Sequence, residues 1–117
     1  VYQVARRLGR RAVFVASTAL SHALVRGRHH MPTPERVALD QRFIEAYKAG
    51  RLRELIEWLP AFSREAVAEM GGRVLATMLG CAEALAEDGS TLVPAMYGDY
   101  AQSSGSGNAV LCLRRAA

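Results

Sequence analysis

Hydrophobic residues recur with a helical period at the start of this chain and then change to a continuous run. Val1, Val4, Ala5 and Leu8 stand at i, i+3, i+4 and i+7, the spacing of an amphipathic helix. Gly9 can end that helix. The uninterrupted apolar run from Ala12 to Ala16 that follows lies within the segment 11–17, bounded by Arg11 and Ser17, and is typical of a strand buried on both faces of a parallel sheet. Helix, glycine and buried strand together predict an α/β unit.

The segment from Thr18 to Thr33 has no period and predicts a long loop. Loops of about 15 residues are uncommon inside compact domains unless they serve a site. Thr33, Pro34 and Glu35 then form a helix start: a hydroxyl N-cap, proline at the first position and an acid in the first turn. That helix is expected to run to Gly50. Its apolar face is formed by Leu39, Phe43, Ile44 and Tyr47.

The rest of the chain is predicted to be helical and then to form strands. Three further helical segments are expected, over 52–59, 63–70 and 74–88. The apolar face of the last one is formed by Val74, Leu75, Met78, Leu79, Ala82 and Leu85. Pro60 should end the first of them, and Gly71 with Gly72 should separate the last two. Two strands are expected at 91–97 and 109–113, joined by a segment rich in glycine and serine. The predicted fold class is therefore α/β: a central, mostly parallel sheet flanked by helices, with a run of helices inserted between the first strand and the last two.

Length and composition predict one domain spanning 1–117. Half of the residues are hydrophobic, 22% are charged, and no apolar run approaches the length of a membrane span. The start of the chain has neither an initiator methionine nor a signal-like apolar core, and we interpret the chain as a piece of a longer polypeptide. Cys81 and Cys112 are far apart and lack CxxC spacing, which favours free thiols in a reducing cytoplasm.

The chain carries 15 basic and 11 acidic residues, for a formal charge of +4. All of the basic residues except Lys48 are arginine, and they are scattered along the sequence. A nucleic-acid interface requires clustering on one face. We therefore predict neither a nucleic-acid nor a membrane partner.

Two groups of histidines are candidates for chemistry. His22 lies just past the predicted buried strand, where α/β folds place ligands, and an imidazole can transfer protons near neutral pH. The alternative is a loop histidine that caps a backbone group. His29 and His30, flanked by Arg26 and Arg28, could hold an anion or a metal, but a solvated basic loop is favoured because adjacent side chains point in different directions.

Glu69 is a further candidate, because it precedes Met70 and the Gly71-Gly72 break, where a helix end can expose a carboxylate to a cavity. The segment SGSGNAV is not a phosphate loop. Val110 stands where the third glycine of GxGxxG belongs, and no GK[ST] follows. A glycine-rich entry into the last strand is the simpler interpretation.

Three stretches of the chain should be considered in order: LSH after the predicted strand, SREAVAEMGGRVLATMLG, and MYGDYAQSSGSGNAVL. Together they resemble the C-terminal part of the class III extradiol ring-cleavage dioxygenases. This family includes the beta subunits of protocatechuate 4,5-dioxygenase and 2-aminophenol 1,6-dioxygenase. The resemblance runs from Arg11 to Leu113 and rests on the order and spacing of short motifs. It implies an α/β fold with a central sheet.

The resemblance also implies a non-haem Fe(II) site built from two histidines and one glutamate, which leaves positions open for substrate and O2. The resemblance matches His22 to a histidine of the family that does not bind the iron but acts as acid and base. It matches Glu69 to the glutamate that binds the iron. The two histidine ligands of the family lie upstream of the region that this chain covers, and neither His29 nor His30 matches them. The substrate implied is a catechol or 2-aminophenol, and the partners implied are the remainder of the fold or a partner subunit in a cytoplasmic oligomer.

Two other functions stay open. Some heteromeric members of the family pair a catalytic chain with a similar chain that has lost its ligands. Thr77 stands where relatives often carry a tryptophan, a departure that would suit such a non-catalytic structural subunit. The other possibility is a small α/β binding module unrelated to dioxygenases, which predicts no iron.

Overall fold

The computed structural model describes residues 1–23 and 30–117. The described residues form four α-helices and two strands, with a short 3-10 turn at Glu69–Gly72 before the last helix. The elements are α1 Tyr2–Arg7, α2 Pro34–Lys48, α3 Leu52–Glu65, α4 Arg73–Glu87, β1 Leu92–Ser103 and β2 Ser106–Arg115. In the part of the chain that the structure describes, none of these helices is both long enough and apolar enough to cross a membrane.

Helix α2 begins where the local sequence predicts. The Thr33 hydroxyl accepts a hydrogen bond from the backbone N–H of Arg36 at 3.3 Å, Pro34 occupies the first position, and Glu35 lies in the first turn. The cap satisfies one of the donors that a helix start leaves unpaired, and the acid complements the positive end of the helix dipole. The predicted start of α2 is confirmed.

Helix α3 corrects the prediction of two segments separated at Pro60. Residues Leu52–Glu65 form one helix with Pro60 inside it. A proline in a helix interior removes one hydrogen bond and costs about 3 kcal/mol. Pro60 is exposed, so the carbonyl that loses its donor can bind water, while Leu59 and Phe62 on either side are buried. Burial of the flanking side chains offsets the local cost and keeps the helix continuous.

The core lies where α3 packs between α2 and α4, and where α2 and α4 pack on the hairpin. Phe43 of α2 and Phe62 of α3 are fully buried with their ring centroids 5.0 Å apart, a separation favourable for aromatic pairs. Trp58 packs on the same Phe62 ring at 5.2 Å. The other buried apolar residues of these elements include Ile44, Ala46, Tyr47, Leu55, Leu59, Leu75 and Leu79. The predicted apolar faces of α2 and α4 are thus confirmed as core.

The predicted fold class is wrong. In the part of the chain that the structure describes, the sheet is a two-stranded antiparallel hairpin of β1 and β2, and a central, mostly parallel sheet is absent. The apolar segment Ala12–Ala16 is not a strand here, and Val13 and Val15 are 88% and 78% exposed. A strand requires a neighbour to satisfy its backbone groups, and none of the described residues pairs with this segment.

The hairpin is longer than predicted. β1 and β2 take in most of the glycine- and serine-rich segment that was expected to join the strands as a loop, and the turn between them is only Ser104 and Gly105. Both turn residues have positive φ, 42° and 82°, as the tight turns that match the twist of a hairpin require. A register shift between Tyr97 and Ala101 marks a bulge in β1.

Candidate functional site

The segment Leu20–Ala23, which we call the central segment, is held on both sides by backbone hydrogen bonds. On one side the His22 N–H donates to the Val67 carbonyl at 2.9 Å, and the Glu69 N–H donates to the Leu20 carbonyl at 3.3 Å. On the other side it pairs with the start of β2. The Ala23 N–H donates to the Gly105 carbonyl at 3.0 Å, and the Gly107 N–H donates to the Ser21 carbonyl at 2.9 Å.

Both pairings are antiparallel, with bridges between Ser21 and Ala68 and between His22 and Ser106. These contacts bring together residues that lie about 45 and 85 positions apart in the sequence. The result is a short, irregular layer of three backbone segments, with the central segment in the middle. His22 therefore occupies a fixed backbone position, although the strand predicted to present it does not form.

The turn beside the central segment has an unusual backbone. Val67 and Met70 have φ of 53° and 52°, and Gly71 and Gly72 follow at 63° and 76°. Such values are uncommon for residues with side chains and cost of order 1 kcal/mol or more each. Gly72 has a second requirement, because a Cβ there would collide with the Ser63 side chain.

This turn places Glu69 beside the central segment. One carboxylate oxygen of Glu69, Oε2, accepts a hydrogen bond from the backbone N–H of Ala19. The residue is partly exposed, and Oε1 makes no hydrogen bond with another described residue. The sequence-predicted candidates His22 and Glu69 are thus both attached to the same stretch of backbone, from Ala19 to His22.

His22 is half-buried, and its ring nitrogens have no hydrogen-bond partner among the described residues. Of the two, Nδ1 is buried as well as unpaired by any described residue. A buried polar atom left unpaired costs about 1–3 kcal/mol, so such an atom calls for a role or a partner. The alternative in which His22 caps a backbone group is not what the structure shows, since its side chain accepts from and donates to none of the described backbone.

A buried polar cluster supports the central segment from below, and sequence reasoning missed it. The Asp40 carboxylate is fully buried and accepts three hydrogen bonds, from the Ser21 N–H at 2.9 Å, the Ser21 hydroxyl at 2.6 Å and the Tyr100 hydroxyl at 2.7 Å. We call Ser21, Asp40 and Tyr100 the Asp40 cluster. It joins α2, β1 and the central segment, which are far apart in the sequence.

The electrostatics of this cluster follow from its burial. Desolvation raises the pKa of Asp40, and the hydrogen bonds from Ser21 and Tyr100 oppose that rise without cancelling it. Burial and the hydrogen bond to Asp40 also raise the pKa of Tyr100. Tyr100 therefore stays protonated near neutral pH and keeps its role as a donor.

A signal for this cluster exists in the sequence. Asp40, Phe43, Ile44 and Tyr47 stand at i, i+3, i+4 and i+7, which places an acidic residue on the buried stripe of α2. A charge in such a position requires partners. The identity of those partners, Ser21 and Tyr100, is not readable from local pattern.

The described residues do not form a complete metal centre. Among residues 1–23 and 30–117, no three His, Cys, Asp or Glu side chains come together closely enough to hold a metal ion. Of the basic candidates, His30 is exposed, while Arg26, Arg28 and His29 lie outside the described residues. Cys81 and Cys112 are free thiols, as predicted.

Comparison with known proteins adds no relative: no protein-family model matches this chain, and no curated protein matches it either.

Proposed function

We propose that this chain forms the C-terminal portion of an Fe(II)-dependent extradiol dioxygenase, which opens the ring of a catechol or 2-aminophenol with O2. One observation carries the proposal. The three sequence stretches on which the family resemblance rests, around His22, around Glu69 and at Ser106–Gly107, meet at the central segment through antiparallel backbone pairs. Stretches that share a site are expected to converge in this way, whereas unrelated matches would fall anywhere on the surface.

The proposed roles follow from the chemistry of each side chain. His22 would take a proton from the substrate hydroxyl and later return it, a task for which an imidazole is suited near neutral pH. Its unpaired Nδ1 is consistent with a ring that is free to engage a group absent from the described residues. Glu69 would supply a carboxylate that the hydrogen bond from the Ala19 N–H already orients, as hydrogen bonds to metal-ligating side chains do.

The described residues do not fit a complete iron site. They supply one candidate carboxylate, whereas the facial arrangement uses two histidines and one carboxylate. Iron binding would need donors from outside these residues, and the proposal includes such donors, in the remainder of the fold or in a partner subunit. A cytoplasmic location is also part of the proposal and is supported by the two free thiols.

The first test concerns His22 in the assembled protein that carries the other iron ligands. We expect His22→Ala to lower turnover by roughly 10²- to 10⁴-fold while iron is retained. His30→Ala is the matched control, since His30 is exposed and should leave turnover unchanged. Ring cleavage followed by absorbance, with iron measured by mass spectrometry on the same samples, gives both readouts. Unchanged turnover in His22→Ala would end the assignment.

The second test concerns Glu69. Glu69→Gln keeps an oxygen that can accept the Ala19 N–H but loses the negative charge, so the turn should survive while iron is lost. Glu65→Gln, an exposed acid of α3, is the control. Full iron occupancy in Glu69→Gln would show that Glu69 is not a ligand.

A non-catalytic structural subunit is the second candidate. The specific observation in its favour is that the described residues lack a group of three metal-binding side chains. It predicts that both His22→Ala and Glu69→Gln leave iron content and turnover of the assembly unchanged. Iron and turnover measured on the same assembly therefore distinguish the two candidates.

A further inference from the structure

A groove lies between the N-terminal residues of the chain and the elements α4 and β2. It has a volume of about 1170 Å³ and is bounded by α1, the segment 11–16, α4 and β2. Its walls are largely apolar. Several of the apolar residues near it are open to solvent, with Val13 88%, Val15 78% and Val110 63% exposed.

Arginines that are scattered in the sequence meet at this groove. Among the described residues, its lining contains five arginines and one acid, Asp88. The described lining therefore carries a formal charge of +4. The five arginines are Arg6, Arg10, Arg11, Arg114 and Arg115.

The one acid of the groove is already engaged. Asp88 Oδ2 accepts hydrogen bonds from the Tyr2 hydroxyl and, at 3.3 Å, from Arg115, and its Oδ1 accepts one from Arg6. These contacts hold the pKa of Asp88 below its usual range. Arg10, Arg11 and Arg114 make no ion pair with any described residue, so they are available to an anionic partner.

Backbone groups on two sides of the groove also lack partners. The structure records no backbone hydrogen bond between the residues 11–18 and any other described residue. β2 pairs with β1 along one edge, and among the described residues its other edge is bonded to the central segment only near Gly107. Beyond that point no described residue pairs with the outer edge of β2, as at an edge that accepts a further strand.

We infer that the groove binds a β-strand of a partner polypeptide, with apolar side chains along its length and acidic residues at one end. The strand pairs with the outer edge of β2 and covers Val13, Val15 and Val110, in the β-augmentation mode. Its acidic end pairs with Arg10, Arg11 and Arg114, which lie at the end of the groove beside α1 and the end of β2. A nucleic acid does not match the apolar walls, and an anionic lipid has no amide groups for the unpaired backbone. The inference goes beyond the proposed function and does not depend on it.

The probe is a fluorescent peptide with about six alternating valines and threonines, the length of a common strand, between terminal glutamates. Binding to the chain is measured by fluorescence anisotropy. We expect the same peptide with terminal lysines to bind at least about tenfold more weakly, and added salt to weaken the glutamate peptide as screening increases. Methylation of alternate peptide nitrogens removes the N–H donors that strand pairing requires. It should also weaken binding of the glutamate peptide by about tenfold.

Variants of the chain complete the test. Arg10→Glu with Arg11→Glu should weaken the glutamate peptide by about tenfold or more and improve binding of the lysine peptide. Arg64→Glu with Arg73→Glu changes the net charge equally at exposed positions outside the groove and should leave binding within about twofold. Because these side chains are exposed, circular dichroism should show an unchanged fold.

Several outcomes would overturn the inference. Equal affinity for the glutamate and lysine peptides, or an equal loss of affinity for the glutamate peptide in both double variants, would show that the arginines of the groove do not recognise the partner. Displacement of the peptide by anionic vesicles that bind more tightly would assign the groove to lipid. A dimer in sedimentation equilibrium that is lost in the Arg10→Glu, Arg11→Glu variant would assign it to a second copy, and tighter binding of a single-stranded oligonucleotide would assign it to nucleic acid.

Discussion

Replacement of Gly107 by alanine tests whether the Asp40 cluster holds the central segment in place. Gly107 is the second residue of β2 and lies directly against the cluster. A Cβ at position 107 would collide with Asp40 Oδ2, the Tyr100 hydroxyl and Ser21 Oγ, the last at 2.9 Å. The backbone of Gly107 does not require positive φ, so the conflict is steric and lies with the cluster alone.

The magnitude follows from two effects. Forcing a methyl group into a packed site costs about 1–3 kcal/mol. Displacing a hydroxyl so that the buried carboxylate loses one hydrogen bond adds about 1–3 kcal/mol. We therefore expect Gly107→Ala to lower the free energy of unfolding by about 2–6 kcal/mol, against a total of roughly 6–18 kcal/mol for a chain of this length.

Urea denaturation followed by circular dichroism measures the effect. With a slope of about 2 kcal/mol per molar urea, the midpoint should fall by roughly 2 M. Gly80→Ala is the matched control. Gly80 lies within α4 with no atom within 4 Å of an added Cβ, so this variant should gain about 0.5–1 kcal/mol. A Gly107→Ala midpoint within about 0.3 M of the unmodified chain would refute the packing argument.

Three further predictions concern stability. Because the pKa of Asp40 is higher in the folded chain than in the unfolded chain, where it is near 3.8, Asp40 stabilises the fold fully below that pH and this stabilisation is lost as pH rises through the folded pKa. The urea midpoint of the unmodified chain should therefore fall between about pH 3 and pH 7 relative to that of Asp40→Asn, and parallel curves of midpoint against pH would contradict this. Thr33→Ala should cost about 1 kcal/mol by removing the α2 cap, whereas Thr33→Ser should be nearly neutral in the same assay. Phe62→Ala should cost about 3–5 kcal/mol, while Val13→Ala, at an exposed position, should change stability by less than about 0.5 kcal/mol; similar midpoints would contradict the assigned core.

Sequence patterns located two of the site residues but not their surroundings. His22 and Glu69 were chosen from their positions and from the family resemblance, and the structure attaches both to the stretch from Ala19 to His22. The pairing that does so is antiparallel and involves a turn with positive φ at Val67 and Met70, neither of which is a residue type that signals such a backbone. The functional roles of His22 and Glu69 remain predictions.

The grouping of arginines at the groove is a second feature that could not be predicted from the sequence. Arginines that are dispersed in the sequence, such as Arg10 and Arg114, are brought to one face only when α1 and β2 come together. A charge pattern read along the sequence gives no information about such a grouping, because proximity in space is set by the packing of distant elements.

The sequence by itself determined the parts that depend on near neighbours. It predicted the start of α2, because Thr33, Pro34 and the following acid act within one turn, and it predicted the buried faces of α2 and α4, because helical spacing requires no information from elsewhere. The tertiary structure decided the rest. The apolar run at Ala12–Ala16 has the composition of a buried strand but forms none here, since a strand requires a hydrogen-bonded neighbour, and the Asp40 cluster exists only because packing joins residues up to 60 positions apart.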